Sequence, residues 1–323
     1  MNGEKYVMVS TLSRTLRVLM LAAFASALFI VPNASASLPV IYSSAAALPY
    51  IAQPNKAPAG ANDWNCKPSA AHPRPVVLVH GTGANQGENW ATLSPLLKNN
   101  GYCVFSLTYG EYTASLGLIY GIAPVANSAA ELGAFVDRVR SATGSSKVDI
   151  VGHSQGGMMP NYYIKFLGGG PKVNTLVGLA PDNHGSDVDG LLHLANLISA
   201  AFPPLSNAIY GALNAGAPAF PDQKFDSAFI KKLNSVPDTV PGINYTVISS
   251  KYDEVATPWQ SQFLSGGGGT IKNIKIQDKC ALDLTDHLAI AYDHVAAREV
   301  LNALDPAHAR STICTLVSPF LGG

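Results

Sequence analysis

Charge is scarce in this chain and neither sign is in excess. Of 323 residues only 13% are charged, and 21 Lys and Arg offset 21 Asp and Glu. That shortage excludes the basic field of a nucleic-acid binder, and no run of like charge suggests an interaction tail. No internal repeat, no GK[ST] phosphate loop and no metal-binding motif occurs. Cysteine is also rare, at four residues, and no CxxC spacing suggests zinc or a redox pair. What the chain has in quantity is apolar side chain, 47% of the total, enough at this length for a sizeable core in one large domain or two small ones.

The first residues read as a targeting segment. Lys5, Arg14 and Arg17 precede an apolar run, Val18 to Val31, too short for a comfortable membrane span. Pro32 ends it, and Ala34-Ser35-Ala36 forms an A-x-A cleavage site. Residues 1–36 are therefore expected to be a signal peptide cleaved after Ala36, and the mature chain to be secreted, close to neutral and monomeric. In an oxidising compartment Cys66, Cys103, Cys280 and Cys314 become disulfide candidates. Three pairings are possible, and Cys66–Cys103 with Cys280–Cys314 is favoured, tying an N-terminal arm to an early strand and a late strand to the tail.

Residues 37–74, rich in Ala, Pro and Ser, read as an extended arm. From residue 75 to 323 short β-branched runs alternate with helical patterns. Strands are expected at Pro75–His80, Tyr102–Leu107, Lys147–Val151, Val173–Leu179, Ile243–Ser249 and Ile271–Ile276. Helices are expected at Trp90–Lys98, after a cap at Asn127, at Gly156–Leu167 and at Asp293–Leu304. This rhythm predicts an α/β fold with a mainly parallel sheet flanked by helices. One apolar segment, residues 191–220, breaks it and is too long for an ordinary connection. It reads as a helical insertion that completes the core, or as a lid or acyl-binding cap, and one segment can do both. Leu191, Leu194, Ile198, Phe202 and Ile209 are its candidate acyl-pocket residues.

The most informative stretch is Gly152-His153-Ser154-Gln155-Gly156, lying between an expected strand and an expected helix. Gly152 and Gly156 permit a sharp turn, because no Cβ obstructs the neighbouring strand and helix. Ser154 would stand at its tip, with the free N–H groups of the next helix facing it, a setting that suits a developing negative charge. A serine hydroxyl is a weak nucleophile at neutral pH, so it needs a base and the base needs an orienting acid. In this architecture the chain order is serine, acid, histidine. His287, between the last strand and the final helix, is the candidate base, with His294 as its rival. Asp253, in the loop after the fifth strand, is the candidate acid, with Glu254 next to it. The oxyanion donors expected are the amides of Gln155 and of Thr82, the latter in the glycine-rich loop after the first strand. That loop is no dinucleotide site: after Gly81 and Gly83 the third glycine, Gly87, comes one residue late.

Four motifs, HGTG (His80–Gly83), GHSQGG (Gly152–Gly157), YDEVATP (Tyr252–Pro258) and DHLAIAYD (Asp286–Asp293), together resemble the secreted class 2 lipases and esterases, most closely actinobacterial members. They also resemble the small Bacillus lipases of the α/β-hydrolase superfamily. The resemblance covers about residues 60–315 and implies an α/β-hydrolase fold, hydrolysis of triacylglycerol or simple carboxyl esters, and no cofactor. It agrees with Ser154, Asp253 and His287, and with Thr82 and Gln155. The small Bacillus enzymes lack a lid, so their open site is not carried over to this longer chain. The expected substrate is a lipid or other hydrophobic ester, met at a lipid–water interface. An acyltransferase, a hydrophobic polyester hydrolase and a non-catalytic binding relative are the other readings.

Overall fold

Short apolar runs bounded by glycine and polar residues become the strands of one sheet. The computed structural model describes residues 37–323, so the expected signal peptide lies outside the described residues. The strands are β1 (Val76–Val79), β2 (Val104–Leu107), β3 (Val148–His153), β4 (Val173–Leu179), β5 (Asn244–Ser249) and β6 (Thr270–Lys275). Their order is β2-β1-β3-β4-β5-β6, and every neighbouring pair is parallel. This is the α/β fold that the strand–helix alternation predicts.

Helices cover both faces. Val77, Val79 and Ile150 point to the side of α3 (Val125–Thr143), α4 (Gln155–Phe166) and α8 (Ala228–Leu233). Val76, Leu78 and Val151 point to the side of α2 (Leu93–Asn99) and α9 (His294–Leu304). The alternation follows the two-residue period of a strand, and burial on both faces explains the nearly continuous apolar run of β1. A short α1 (Gln86–Asn89) lies between β1 and α2.

The sequence reading needs two corrections. Asn127 does not cap α3. The helix starts at Val125 after Pro124, and the Val125 N–H donates to Asp222 Oδ2 at 3.0 Å, so a distant carboxylate satisfies that end. The arm is not uniformly extended either, because Ser44–Tyr50 forms a 3₁₀ helix with Ser43 as its cap.

The apolar segment folds as α5 (Val188–Ala201), α6 (Ser206–Asn214) and α7 (Ala219–Asp222). The Asp187 side chain caps α5 by accepting from the Gly190 N–H at 2.7 Å. Leu191, Leu194, Ile198, Phe202 and Ile209 are all buried in a third cluster with Ile119, Ile122 and Tyr292. No helix among the described residues is long and apolar enough to cross a membrane.

The order of the strands positions a site. β1 lies beside β3, with Val79 paired to Gly152, yet the chain leaves these two strands toward opposite edges of the sheet. Loops after such strands part and leave a crevice at their carboxyl ends. The loops after β5 and β6 open on the same end of the parallel sheet.

Two disulfides fasten the periphery: Cys66–Cys103 ties the arm to the start of β2, and Cys280–Cys314 ties the tail to the segment after β6. The tail then bonds to that segment, with Leu284 N–H donating to Val317 O at 3.1 Å and Phe320 N–H to Asp286 Oδ2 at 2.6 Å. Closing a loop with a sequence separation of 34 stabilises a chain by roughly 3–4 kcal/mol on the loop-entropy scale. The double variant Cys280→Ser, Cys314→Ser is expected to lose about that much in denaturant unfolding. Unchanged stability would show that the non-covalent contacts alone hold the tail.

Candidate active site

The glycines around Ser154 are demanded by close approach. A Cβ on Gly152 would lie 1.8 Å from the Gly156 carbonyl oxygen, and one on Gly156 would lie 2.1 Å from that of Val79. With neither present, α4 starts directly on the end of β3. Ser154 takes up the turn at φ 55°, ψ −127°, a region a side chain rarely occupies. Such a residue costs about 1–3 kcal/mol and persists only where its surroundings hold it. Here the Ser154 N–H donates to Leu179 O at 2.9 Å, and its carbonyl accepts from Gly157 N–H at 2.8 Å.

Ser154, His287 and Asp253 meet from the ends of β3, β6 and β5. His287 Nε2 lies 2.9 Å from Ser154 Oγ, and His287 Nδ1 lies 2.9 Å from Asp253 Oδ2. The carboxylate is held on both oxygens. Oδ1 accepts the N–H groups of Val255 and Ala256, each at 2.9 Å, and Oδ2 also accepts from Gln262 Nε2 at 2.8 Å. Nδ1–H donating to Asp253 leaves Nε2 bare toward the hydroxyl, the tautomer needed to take its proton.

The histidine loop is fixed from beneath and behind. Asp286 Oδ1 accepts from Leu288 and Ala289 N–H at 3.0 and 2.8 Å. His153 Nε2–H donates to the His287 carbonyl at 2.8 Å. Burial, followed by the neighbouring His287, pushes the His153 imidazole down to about 3, so that ring is a neutral strut. His294, the rival base, is instead bonded to the tail through Gly323 O and Ile313 O. The His287 ring is hydrogen-bonded to Asp253 and Ser154 and not to Glu254, whose carboxyl burial raises.

Thr82 and Gln155 face the same point. Gly81 N–H donates to Asn89 Oδ1, Gly83 N–H to Tyr120 O and Ala84 N–H to Gly81 O. Between these occupied donors, the Thr82 N–H has no hydrogen-bond acceptor among the described residues. The Gln155 N–H belongs to the first turn of α4, where backbone donors lack a helical partner. Their side chains bind each other: Gln155 Nε2 donates to Thr82 Oγ1 at 2.8 Å, and Thr82 Oγ1 donates to Gln223 Oε1 at 2.9 Å. The two loops are thereby held in one register.

Burial is the largest influence on His287 and pushes it down, but the charge and hydrogen bond of Asp253, followed by Glu254 and Asp182, leave it raised above 6.5. A raised histidine stabilises the fold below the unfolded value near 6.5, and that contribution is lost as pH rises through the folded value. Asp182, at the end of β4, is pushed up to about 7, chiefly by burial.

Leu194, Ile198 and Phe202 of the insertion wall the cavity over Ser154, whereas Leu191 and Ile209 lie behind them in the same apolar cluster. A Cβ on Gly83 would come within 2.8 Å of Ile198 and 3.0 Å of Ile209, so the insertion rests directly on the Thr82 loop. The cavity holds only about 20 Å³, room for a water molecule and not for an acyl chain.

Sequence reasoning missed Gln262, Asn89, Gln223 and Glu88. Gln262 braces the acid, Asn89 holds the Thr82 loop, Gln223 accepts from Thr82, and Glu88 lines the cavity. Only Asn89 and Glu88 carried a signal, since they fall within ten residues of the HGTG stretch. The other two come from loops without a pattern.

The family described as lipase (class 2) matches residues 73–299. A triacylglycerol lipase of Pseudarthrobacter phenanthrenivorans is 34% identical over 99 residues, which span 29% of this chain and 28% of that relative. The crystal structure of Aspergillus fumigatus lipase B superposes with a TM-score of 0.55 at 18% identity, covering 80% of this chain and 57% of that one. At that identity the likeness speaks for the fold, the α/β-hydrolase arrangement.

Removing the Asp253 charge leaves burial of His287 with less opposition. In Asp253→Asn the His287 imidazole is expected to titrate at lower pH than in the wild type, as read by NMR of its ring protons. An unchanged titration would mean that the carboxylate does not govern the imidazole.

Proposed function

The chain belongs to the class 2 lipase family, and from that premise we propose that it hydrolyses hydrophobic carboxyl esters through an acyl-enzyme on Ser154. The observation that carries this reading is the unbroken relay from Ser154 Oγ through the His287 ring to Asp253, with both contacts at 2.9 Å. His287 Nε2 takes the hydroxyl proton as Oγ attacks the ester carbonyl carbon. The carbonyl π electrons move to oxygen, and the oxyanion is received by the Thr82 and Gln155 N–H groups. Each such donor is worth about 3–4 kcal/mol in the transition state. The imidazolium, stabilised by Asp253, then gives its proton to the departing alkoxide. Water repeats the sequence on the acyl-enzyme: His287 removes its proton, and Ser154 leaves with that proton restored.

Substrate class follows from the walls. Leu194, Ile198, Phe202, Leu288 and Ala291 offer an acyl chain an apolar surface, which favours lipid-like esters. Because the cavity is smaller than any such chain, α5 and α6 act as a lid that moves away when an ester binds. An apolar face uncovered by that movement suits a lipid–water interface. The two disulfides support the proposal that the chain is exported, with residues 1–36 removed as a signal peptide.

Ser154→Ala is expected to reduce turnover of a nitrophenyl ester by about 10⁶-fold, the scale seen when such a unit is broken. A fluorophosphonate should add its mass to the wild type at Ser154 and leave the variant unlabelled. Near-normal esterase activity in Ser154→Ala would end the assignment. Across a chain-length series, octanoate should be preferred to acetate, and the reverse order would rule out a long acyl site.

A further inference from the structure

Glu88 is an acidic side chain in a mostly apolar cavity. It sits in α1, only 4% exposed, and lines the space above Ser154 together with Leu194, Ile198 and Phe202. Among the described residues no cation pairs with it, and burial pushes the carboxyl up to about 8. The titratable groups packed around it are Tyr292, whose hydroxyl donates to the Glu88 carbonyl at 3.0 Å, His153 across the cavity, and Tyr50 and Lys56 of the arm, which meet α1 at Gly87.

Asn85 sets the orientation of the acid. Its Oδ1 accepts the Gly87 and Glu88 N–H groups, both at 3.0 Å, and its Nδ2 donates to Glu88 Oε2 at 2.9 Å. A neutral carboxyl has one O–H donor, and its carbonyl oxygen is the better acceptor. With Oε2 serving Asn85 as acceptor, the O–H of the neutral form is placed on Oε1. Among the described residues Oε1 has no hydrogen-bond partner. An oxygen with no protein partner beside a mostly apolar pocket is open to a water or to a polar atom of a ligand, and such a group helps to fix what binds there.

We propose that Glu88 is a specificity-determining residue that donates a hydrogen bond from Oε1 to an oxygen atom of the substrate other than the scissile carbonyl oxygen. The preferred ester then carries a hydroxyl, ether or second ester oxygen in addition to the bond that is cut. This inference rests on the hydrolase reading above. Glu88 has no part in proton transfer at Ser154.

The test uses the purified full chain and two 4-nitrophenyl esters of equal chain length. One has a plain acyl chain, and in the other an ether oxygen replaces a methylene far enough from the carbonyl to leave its reactivity unchanged. The ratio of their kcat/KM values cancels effects common to both, including titration of His287. At pH 6.5 the wild type should favour the ether ester about fivefold more than Glu88→Leu does, the worth of one ordinary hydrogen bond, and the difference should appear in KM. At pH 9.5 the ionised wild type should lose this preference. Glu88→Gln, which keeps an N–H donor and cannot ionise, should retain it at both pH values.

Equal ratios in the wild type and Glu88→Leu at pH 6.5 would overturn the proposal and leave Glu88 as a holder of water. If the leucine variant does not fold, the other pair decides: the same pH dependence of the ratio in wild type and Glu88→Gln would also overturn it. No turnover of either ester by the wild type would sink the hydrolase reading instead, a result distinct from both.

Discussion

The close approach of α4 to the ends of β1 and β3 is the constraint on which the site depends. Two positions that cannot carry a Cβ, Gly152 and Gly156, let the helix begin where the strand stops. Ser154 absorbs the reversal in a backbone conformation that costs about 1–3 kcal/mol. Valines and leucines buried on both sides of the sheet offset that amount easily, at about 1.5–3 kcal/mol for each side chain. The strain therefore persists and holds the hydroxyl between the histidine loop and the unpaired amides of Thr82 and Gln155.

Placing His287 is a separate problem, because it sits on a loop rather than on a regular element. The chain solves it with many short contacts from all sides. Asp286 folds the loop upon itself, the His153 ring props its backbone, and the tail crosses behind it under the Cys280–Cys314 bond. Asp253 is likewise saturated, with Gln262 and two backbone amides sharing its oxygens with the imidazole. Fixing each group through a second layer of hydrogen bonds limits the reorganisation left for a reaction to perform.

The insertion contributes in another way. α5 and α6 bury their apolar faces against Ile119, Ile122 and Tyr292, and the same side chains close the space over Ser154. One surface thus completes the core and covers Ser154. Polar chemistry inside it is sparse, which makes the uncompensated carboxyl of Glu88 conspicuous.

Much of this was written locally and could be read locally. β-branched runs gave six strands because a strand buried on both faces must be apolar along its length. The glycines flanking Ser154 marked the turn because steric exclusion acts between residues a few positions apart. The start of α3 was misread because Asp222, far along the chain, binds its first amide, while Asn127 lies inside the helix. Gln262 and Gln223 had no local signature, since each is defined only by the group it meets across the fold. The sequence alone determined the sheet, the turn at Ser154 and the chain order of Ser154, Asp253 and His287. Only the tertiary structure decided which side chains brace them, how tightly the insertion closes and where the Glu88 carboxyl lies, because those depend on distances and burial between segments that the chain does not keep adjacent.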